Sequence, residues 1–410
     1  MKRAVYIHEY SVACALGADT DVVRRNLLSH APRTLSGQSR VPGGWTVPTG
    51  SMPFALESDA DSRCNRIADH LLTSLKPALV RRMERVASAK VAVVIGTSTS
   101  GVGEAGVAFR ARKTEGQWPQ SYRFASQELG DTAAHIAARI GTEGPIFGIS
   151  TACTSGAKAL ASAARLIETG FSEMALAGGV DALCDLTLAG FASLESLSDE
   201  VCNPFSANRR GINLGEGGAL FVLSAEPSAF RLAGWGESAD AYHMSAPDPE
   251  GKGAEAAMRR ALERAECPAD AIGYLNLHGT ATKLNDAMEA RAVSRVFSDI
   301  VACSSTKPMT GHMLGAAGAE PRAAVRPWQG PARLPGAHPG EEVIRRVGIA
   351  HRCSSTVGNA HPTNYLPGIT TGEYAAGYGT AFTSGFFSRT PVCRSTHMQQ
   401  SFTVIPVAAQ

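Results

Sequence analysis

IFGISTACTSGAKALASAARLIETG, residues 146–170, decides the reading of the fold. Its first five residues are a short apolar run of strand character. The remainder sets Leu160, Ala161, Ala164 and Ile167 at helical spacing, and Gly170 supplies a C-terminal stop signal. A strand that turns at once into a helix of small residues is the repeating unit of α/β layers. Cys153 falls at the junction, between Thr151-Ala152 and Thr154-Ser155-Gly156.

The same alternation extends outward. VAVVIG (91–96), MALAGG (174–179), ALFVLS (219–224) and IGYLNL (272–277) read as strands, each rich in aliphatic residues. AEAAMRRALERAE (254–266) reads as an amphipathic helix, and DAMEARAVSRVF (286–297) as another with an acidic start and basic later turns. SAEPSAFRLAGWGES breaks the pattern near residues 223–236, which divides the chain into an N-terminal half, 1–228, and a C-terminal half, 229–320. From Pro321 the character changes: PRAAVRPWQGPARLPGAHPGEE is rich in Pro, Arg and Gly, and residues 321–410 keep neither period for long.

Composition narrows the classes. A chain of 410 residues exceeds one ordinary core and implies two domains or a duplicated fold. Lys and Arg number 39 against 37 Asp and Glu, a formal charge of +2 with no basic run, so nucleic acid is not expected as a ligand. His8 and Glu9 interrupt the first apolar run, which therefore reads as a strand and not a secretory leader, and no stretch nears the ~20 apolar residues of a membrane span. A cytoplasmic protein is expected. Nine cysteines show no C-x-x-C spacing, so reduced thiols are expected and no metal site.

Three segments carry candidate chemistry. Cys153 opens a helix, where the dipole lowers a thiol pKa, although a buried cysteine is more often a small hydrophobe. His278 begins His278-Gly279-Thr280-Ala281-Thr282 at the carboxyl end of a strand, where α/β folds place their sites; the bland alternative is a satisfied core histidine. SSTKPMTGHMLGAAG, residues 304–318, sets Lys307 and His312 five residues apart before a run of Gly and Ala, with an exposed Lys307 as its bland reading. GTSTSGVGE, residues 96–104, stands out without indicating a substrate.

STACTSGA, LHGTATKLND and SSTKPMTGHMLGAAGA together resemble, in order and separation, three motifs of the elongating β-ketoacyl-acyl-carrier-protein synthases, a branch of the thiolase superfamily. PFSANRRGINLGEGG, residues 204–218, is similar to a fourth family stretch, with Ser206 and Arg210 where acidic residues are common. The resemblance runs from about Val5 to Ala319. It implies a five-layer α/β/α/β/α thiolase-like fold with two similar halves. It implies that Cys153 accepts an acyl group, that His278 and His312 donate hydrogen bonds to a malonyl thioester, that Lys307 orients the histidines, and that Thr280 and Thr282 bind phosphopantetheine. No cofactor is bound in such a protein; phosphopantetheine arrives on the acyl carrier protein. Arg63 and Arg66 are candidates for docking that acidic partner, and a homodimer or a heterodimer with a related subunit is implied. The alternatives are a non-catalytic chain-length subunit, against which Cys153 speaks, and a Cys-His acyl hydrolase.

The resemblance stops at one point. Glu320 comes one residue too early for the family pattern, and a Gly-rich segment of the type NSFGFGGTN has no counterpart after Ala319. A slipped reading frame or complete divergence of 321–410 is expected. In relatives that segment supplies a second oxyanion N–H, a donor whose loss typically costs about 10²–10³ in rate.

Overall fold

The computed structural model describes residues 3–29, 35–41, 44–243, 245–297, 301–319 and 399–402. In chain order the elements of the first half are β1 (Tyr6–Cys14), α1 (Thr20–Leu27), β2 (Gly37–Arg40), β3 (Thr46–Thr49), α2 (Arg63–Met83), β4 (Val91–Gly96), α3 (Val102–Glu115), α4 (Asp131–Ile140), β5 (Ile146–Ile149), α5 (Ser155–Glu168), β6 (Met174–Asp181), α6 (Asp185–Ser193), β7 (Gly217–Ser224) and β8 (Phe230–Arg231). They are followed by β9 (Gly236–Ala239), α7 (Lys252–Ala265), β10 (Tyr274–Asn276), α8 (Lys283–Phe297), β11 (Ala302–Ser304), α9 (Lys307–Thr310) and β12 (Gln399–Phe402).

Six strands form one mixed sheet in the order β5-β4-β6-β7-β1-β8. β5, β4 and β6 run parallel, whereas β7 is antiparallel to β6 and β1 antiparallel to β7. Every residue of β4, β6 and β7 is buried. Such unbroken apolar strands belong to a sheet covered on both faces. One cover is α5, whose Leu160, Ala161, Ala164 and Ile167 pack with Val94, Ala177 and Phe221. On the opposite face α2 brings Ile67, Leu71, Leu75 and Leu79, and α4 brings Ile136, against Val93, Leu176 and Leu220. Val93 and Val94 thus serve opposite faces, as the two-residue period of a strand requires.

In the second half Ala254, Met258 and Ala261 of α7 meet Ala292, Val293 and Val296 of α8 over the parallel pair β10–β11, with Leu275 opposite Cys303. β9 pairs antiparallel with β12. The expected second half has a sheet like the first; among the described residues it carries these two-stranded pairs. The expected divergence of residues 321–410 lies outside the described residues, β12 apart.

Candidate active site

Three neighbouring parallel strands end at one edge of the large sheet, the place where α/β folds gather ligand-binding loops. β4 leads into Thr97 and Ser98, β5 into the turn carrying Cys153, and β6 ends on Asp181. At the turn before Cys153, Ala152 has φ of 54°, the left-handed region that costs an ordinary residue on the order of 1–2 kcal/mol. Ser155 holds that turn closed: its Oγ accepts from the Thr151 N–H at 2.8 Å and donates to the Ala152 carbonyl at 2.6 Å.

The second half sends β10 into His278 and β11 into Lys307. Glu289 of α8 fixes the first loop, its two oxygens accepting from the His278 N–H at 2.6 Å and the Gly279 N–H at 2.8 Å. The Lys307 ammonium donates to the His278 carbonyl. His312 is clamped through its backbone: its N–H donates to the Asn213 carbonyl at 2.7 Å and its own carbonyl accepts from the Gly215 N–H at 3.0 Å. The outcome is a compact cluster. His312 Nε2 lies 2.8 Å from Cys153 Sγ, the His278 and His312 rings meet edge to face at 5.2 Å, and the donor atoms of Cys153, His278 and His312 all fall within 4.8 Å of one another.

Small residues make this approach possible. A Cβ on Gly156 would sit 2.8 Å from the Gly315 carbonyl oxygen, and one on Gly179 would sit 2.9 Å from Ala316 Cα. The Gly and Ala run after His312 is therefore the contact surface by which that segment lies down on α5 and β6.

Electrostatics correct one expectation. The helix dipole suggests a lowered thiol pKa, but burial pushes Cys153 up to about 11, and the Lys307 charge and a backbone hydrogen bond only partly oppose it. α5 begins at Ser155, two residues beyond Cys153, and the positive end of its dipole does not outweigh the burial of the sulfur. Burial, reinforced by Lys307, also holds His278 and His312 well below the usual imidazole range. At neutral pH the site is a thiol beside two uncharged imidazoles, each able to present an N–H. Burial raises Glu289 to about 7.

Thr280 and Thr282 hydrogen-bond each other at 2.8 Å beside this cluster. Arg63 and Arg66, the candidates for receiving a carrier protein, are partly exposed and each is paired within the chain. Arg63 forks onto both oxygens of buried Glu216 at 2.6 Å each, and Arg66 pairs with Glu104 at 3.3 Å while bonding the Ala60 carbonyl. Cys153, His278 and His312 are also a potential donor set for a soft cation. As arranged, however, Sγ and His312 Nε2 stand 2.8 Å apart, closer than the roughly 3.5 Å that Zn–S and Zn–N bond lengths impose on two tetrahedral ligands. Sequence reasoning missed Asp181, Asn213 and Glu289. Glu289 carried a readable signal, sitting three residues after Asp286 on a helix that opens directly from the His278 loop.

A mixed α/β sheet whose parallel strand ends deliver one thiol, facing two imidazoles from a second α/β segment, defines a thiolase-like architecture. The profile of the β-ketoacyl synthase N-terminal domain matches residues 53–229 and that of its C-terminal domain residues 229–324, so the chain belongs to the β-ketoacyl synthase family. It is 45% identical to nodulation protein E of Rhizobium leguminosarum bv. trifolii over 199 residues, 46% of this chain and 49% of that protein. To the mitochondrial 3-oxoacyl-acyl-carrier-protein synthase of Arabidopsis thaliana it is 39% identical over 208 residues, 46% of this chain and 45% of that one. The chain thus spans about half the length of these curated relatives. Among solved structures, the ketosynthase ApeO in complex with its chain length factor ApeC, from Xenorhabdus doucetiae, superposes with a TM-score of 0.74 at 41% identity, covering 77% of this chain and 82% of that one.

Proposed function

We propose that this chain performs a decarboxylative Claisen condensation, joining an acyl group to malonyl-acyl carrier protein to give 3-oxoacyl-acyl carrier protein in fatty-acid or polyketide synthesis. The observation that carries this reading is the 2.8 Å approach of His312 Nε2 to Cys153 Sγ with His278 edge-on beside them. In the first half-reaction the Cys153 sulfur attacks an acyl thioester: a new S–C bond forms, the phosphopantetheine sulfur leaves, and the thiol proton passes to it. In the second, the malonyl C–C bond to its carboxylate breaks and carbon dioxide departs. The electron pair left behind resides on the thioester oxygen as an enolate, which the N–H groups of His278 and His312 stabilise. Its carbon then attacks the acyl-Cys153 carbonyl, forming the new C–C bond as the Cys153 C–S bond breaks, and the departing thiolate takes a proton from solvent water. Uncharged imidazoles suit this role, because they donate hydrogen bonds without holding the carboxylate as an ion pair.

Lys307, bonded to the His278 carbonyl, keeps that ring in place, and Thr280 and Thr282 exchange their mutual hydrogen bond for one to the phosphopantetheine arm. A related chain-length subunit is the proposed partner. The complex of ApeO with its chain length factor supports it, as does the exposed edge strand β5, where Ile146 and Phe147 face outward. Incubating the full chain with acyl- and malonyl-acyl carrier protein tests the reading. Equal yields of carbon dioxide and 3-oxoacyl product are expected; free acid without carbon dioxide would instead indicate a hydrolase, and no turnover with no acyl-Cys153 a non-catalytic subunit.

A further inference from the structure

Asp181 ends β6, is fully buried, and takes no part in the condensation steps themselves. Its Oδ1 accepts from Thr97 Oγ1 at 2.8 Å, from the Ser98 and Thr99 N–H groups at 2.8 Å each, and from Thr99 Oγ1 at 2.7 Å, while Oδ2 accepts from the Ser98 N–H at 3.0 Å. Ser98 reaches onward, its Oγ donating to the Ala152 carbonyl at 3.3 Å, and Ala152 is the positive-φ residue that precedes Cys153. From the third side Gly315 closes on the same group: a Cβ there would lie 2.7 Å from Asp181 Oδ2 and 3.0 Å from the Ser98 nitrogen. The motif GTSTSG at 96–101, which pointed to no substrate, is the wrapping of this carboxylate. Around one buried charge meet the loop after β4, the turn before Cys153 and the segment carrying His312.

We propose that Asp181 is a positioning residue for Cys153. By gathering residues 97–99 it fixes Ser98 against the Ala152 carbonyl and holds the left-handed turn that presents the sulfur to His312. Two physical reasons converge. A strained turn persists only when its surroundings over-determine it, and Ala152 O is held from both sides, by Ser155 and by Ser98. Burial pushes the Asp181 carboxyl pKa up, against the donors that wrap it, and its charge adds to the larger effect of burial in raising the Cys153 thiol. The other groups facing Cys153 are Lys307, which opposes Asp181, and the uncharged His278 and His312; Cys64 faces Asp181 from α2.

The inference rests on the reading of Cys153 as nucleophile, and its test separates the two. In the full chain, Asp181→Asn, Asp181→Ala and Ser98→Ala are compared by two readouts: iodoacetamide alkylation of Cys153 against pH, followed on its tryptic peptide, and acylation by an acyl carrier protein thioester. Asp181→Asn keeps an acceptor oxygen and loses the charge, so its alkylation profile moves to lower pH while acylation stays within about threefold of wild type. Ser98→Ala keeps the charge and loses the tether, so acylation falls about tenfold, the effect of one hydrogen bond, with the alkylation midpoint unmoved. Asp181→Ala combines both losses; should it not fold, the other two variants decide. Folded Asp181→Asn and Ser98→Ala proteins with wild-type profile and wild-type acylation overturn the proposal. If Cys153→Ala is acylated like wild type the nucleophile reading fails instead, and the alkylation profile, which needs no acyl transfer, still reports on Asp181.

Discussion

A sulfur pushed up to about 11 rather than resting at 9.0 is two pK units harder to ionise. At pH 8 it is thiolate about one part in 10³, against about one in 10 for the same cysteine in an unfolded chain, a hundredfold difference. A thiolate of higher pKa is intrinsically more nucleophilic, with a Brønsted coefficient of about 0.4–0.5, which returns a factor of roughly 6–10 over two units. The net expectation is that Cys153 in the folded protein reacts with iodoacetamide about tenfold more slowly at pH 8 than in urea. Its rate should keep rising nearly tenfold per pH unit until close to pH 11. Quenched aliquots, digestion and quantification of the Cys153 peptide supply both curves from one sample, and the pH midpoint separates a raised pKa from simple steric shielding. A folded-state rate exceeding the unfolded one at pH 8, or a plateau below pH 9, would show that the helix dipole outweighs burial and that the electrostatic reasoning is wrong.

Lys307→Met removes the cation that lowers the thiol and both imidazoles. The Cys153 alkylation profile should then move to still higher pH, and the acid limb of the condensation pH profile should shift upward toward the ordinary histidine range. His278→Ala takes away an enolate donor while leaving the His312–Cys153 contact, so condensation should fall about 10²–10³-fold with acylation of Cys153 changed by only a few fold, as separate single-turnover measurements of each half-reaction would show. Leu160→Ala empties a fully buried position between α5 and the sheet and should lower unfolding free energy by about 2–5 kcal/mol in urea titration, with the sheet face as the reason.

How much of the fold and site was legible in the sequence depends on how local each cause is. VAVVIG forms β4 at residues 91–96 as read, because a short, β-branched aliphatic run suits a strand buried on both faces. The helix read at 254–266 is α7, Lys252–Ala265, since its apolar stripe of Ala254, Met258 and Ala261 is written in the period itself. The helix read from Asp286 begins earlier, at Lys283: the acidic residue lies inside its first turn, where Asp286 also caps the Ala281 N–H. The approach of Cys153 to His278 was readable because each lies just beyond a strand-like run, whereas His312 follows β11 only after the short helix α9 and is placed by its backbone bonds to Asn213 and Gly215. The thiol's raised pKa was not, since it comes from burial by distant segments. Nor was the pairing of Arg63, whose partner Glu216 lies 153 residues away and also accepts from the Met52 N–H. Asp181 escaped for the same reason. Its meaning lies in Ser98 and Gly315, which only the folded sheet brings to it.

Intact-protein mass spectrometry after exposure to acyl carrier protein thioesters addresses directly the proposal that one sulfur held against two imidazoles is the acyl acceptor. The expected result is the mass gain of a single acyl group, mapped to the peptide containing Cys153 and absent from Cys153→Ala. Acylation mapped to another residue, or an undiminished mass gain in Cys153→Ala, would contradict it.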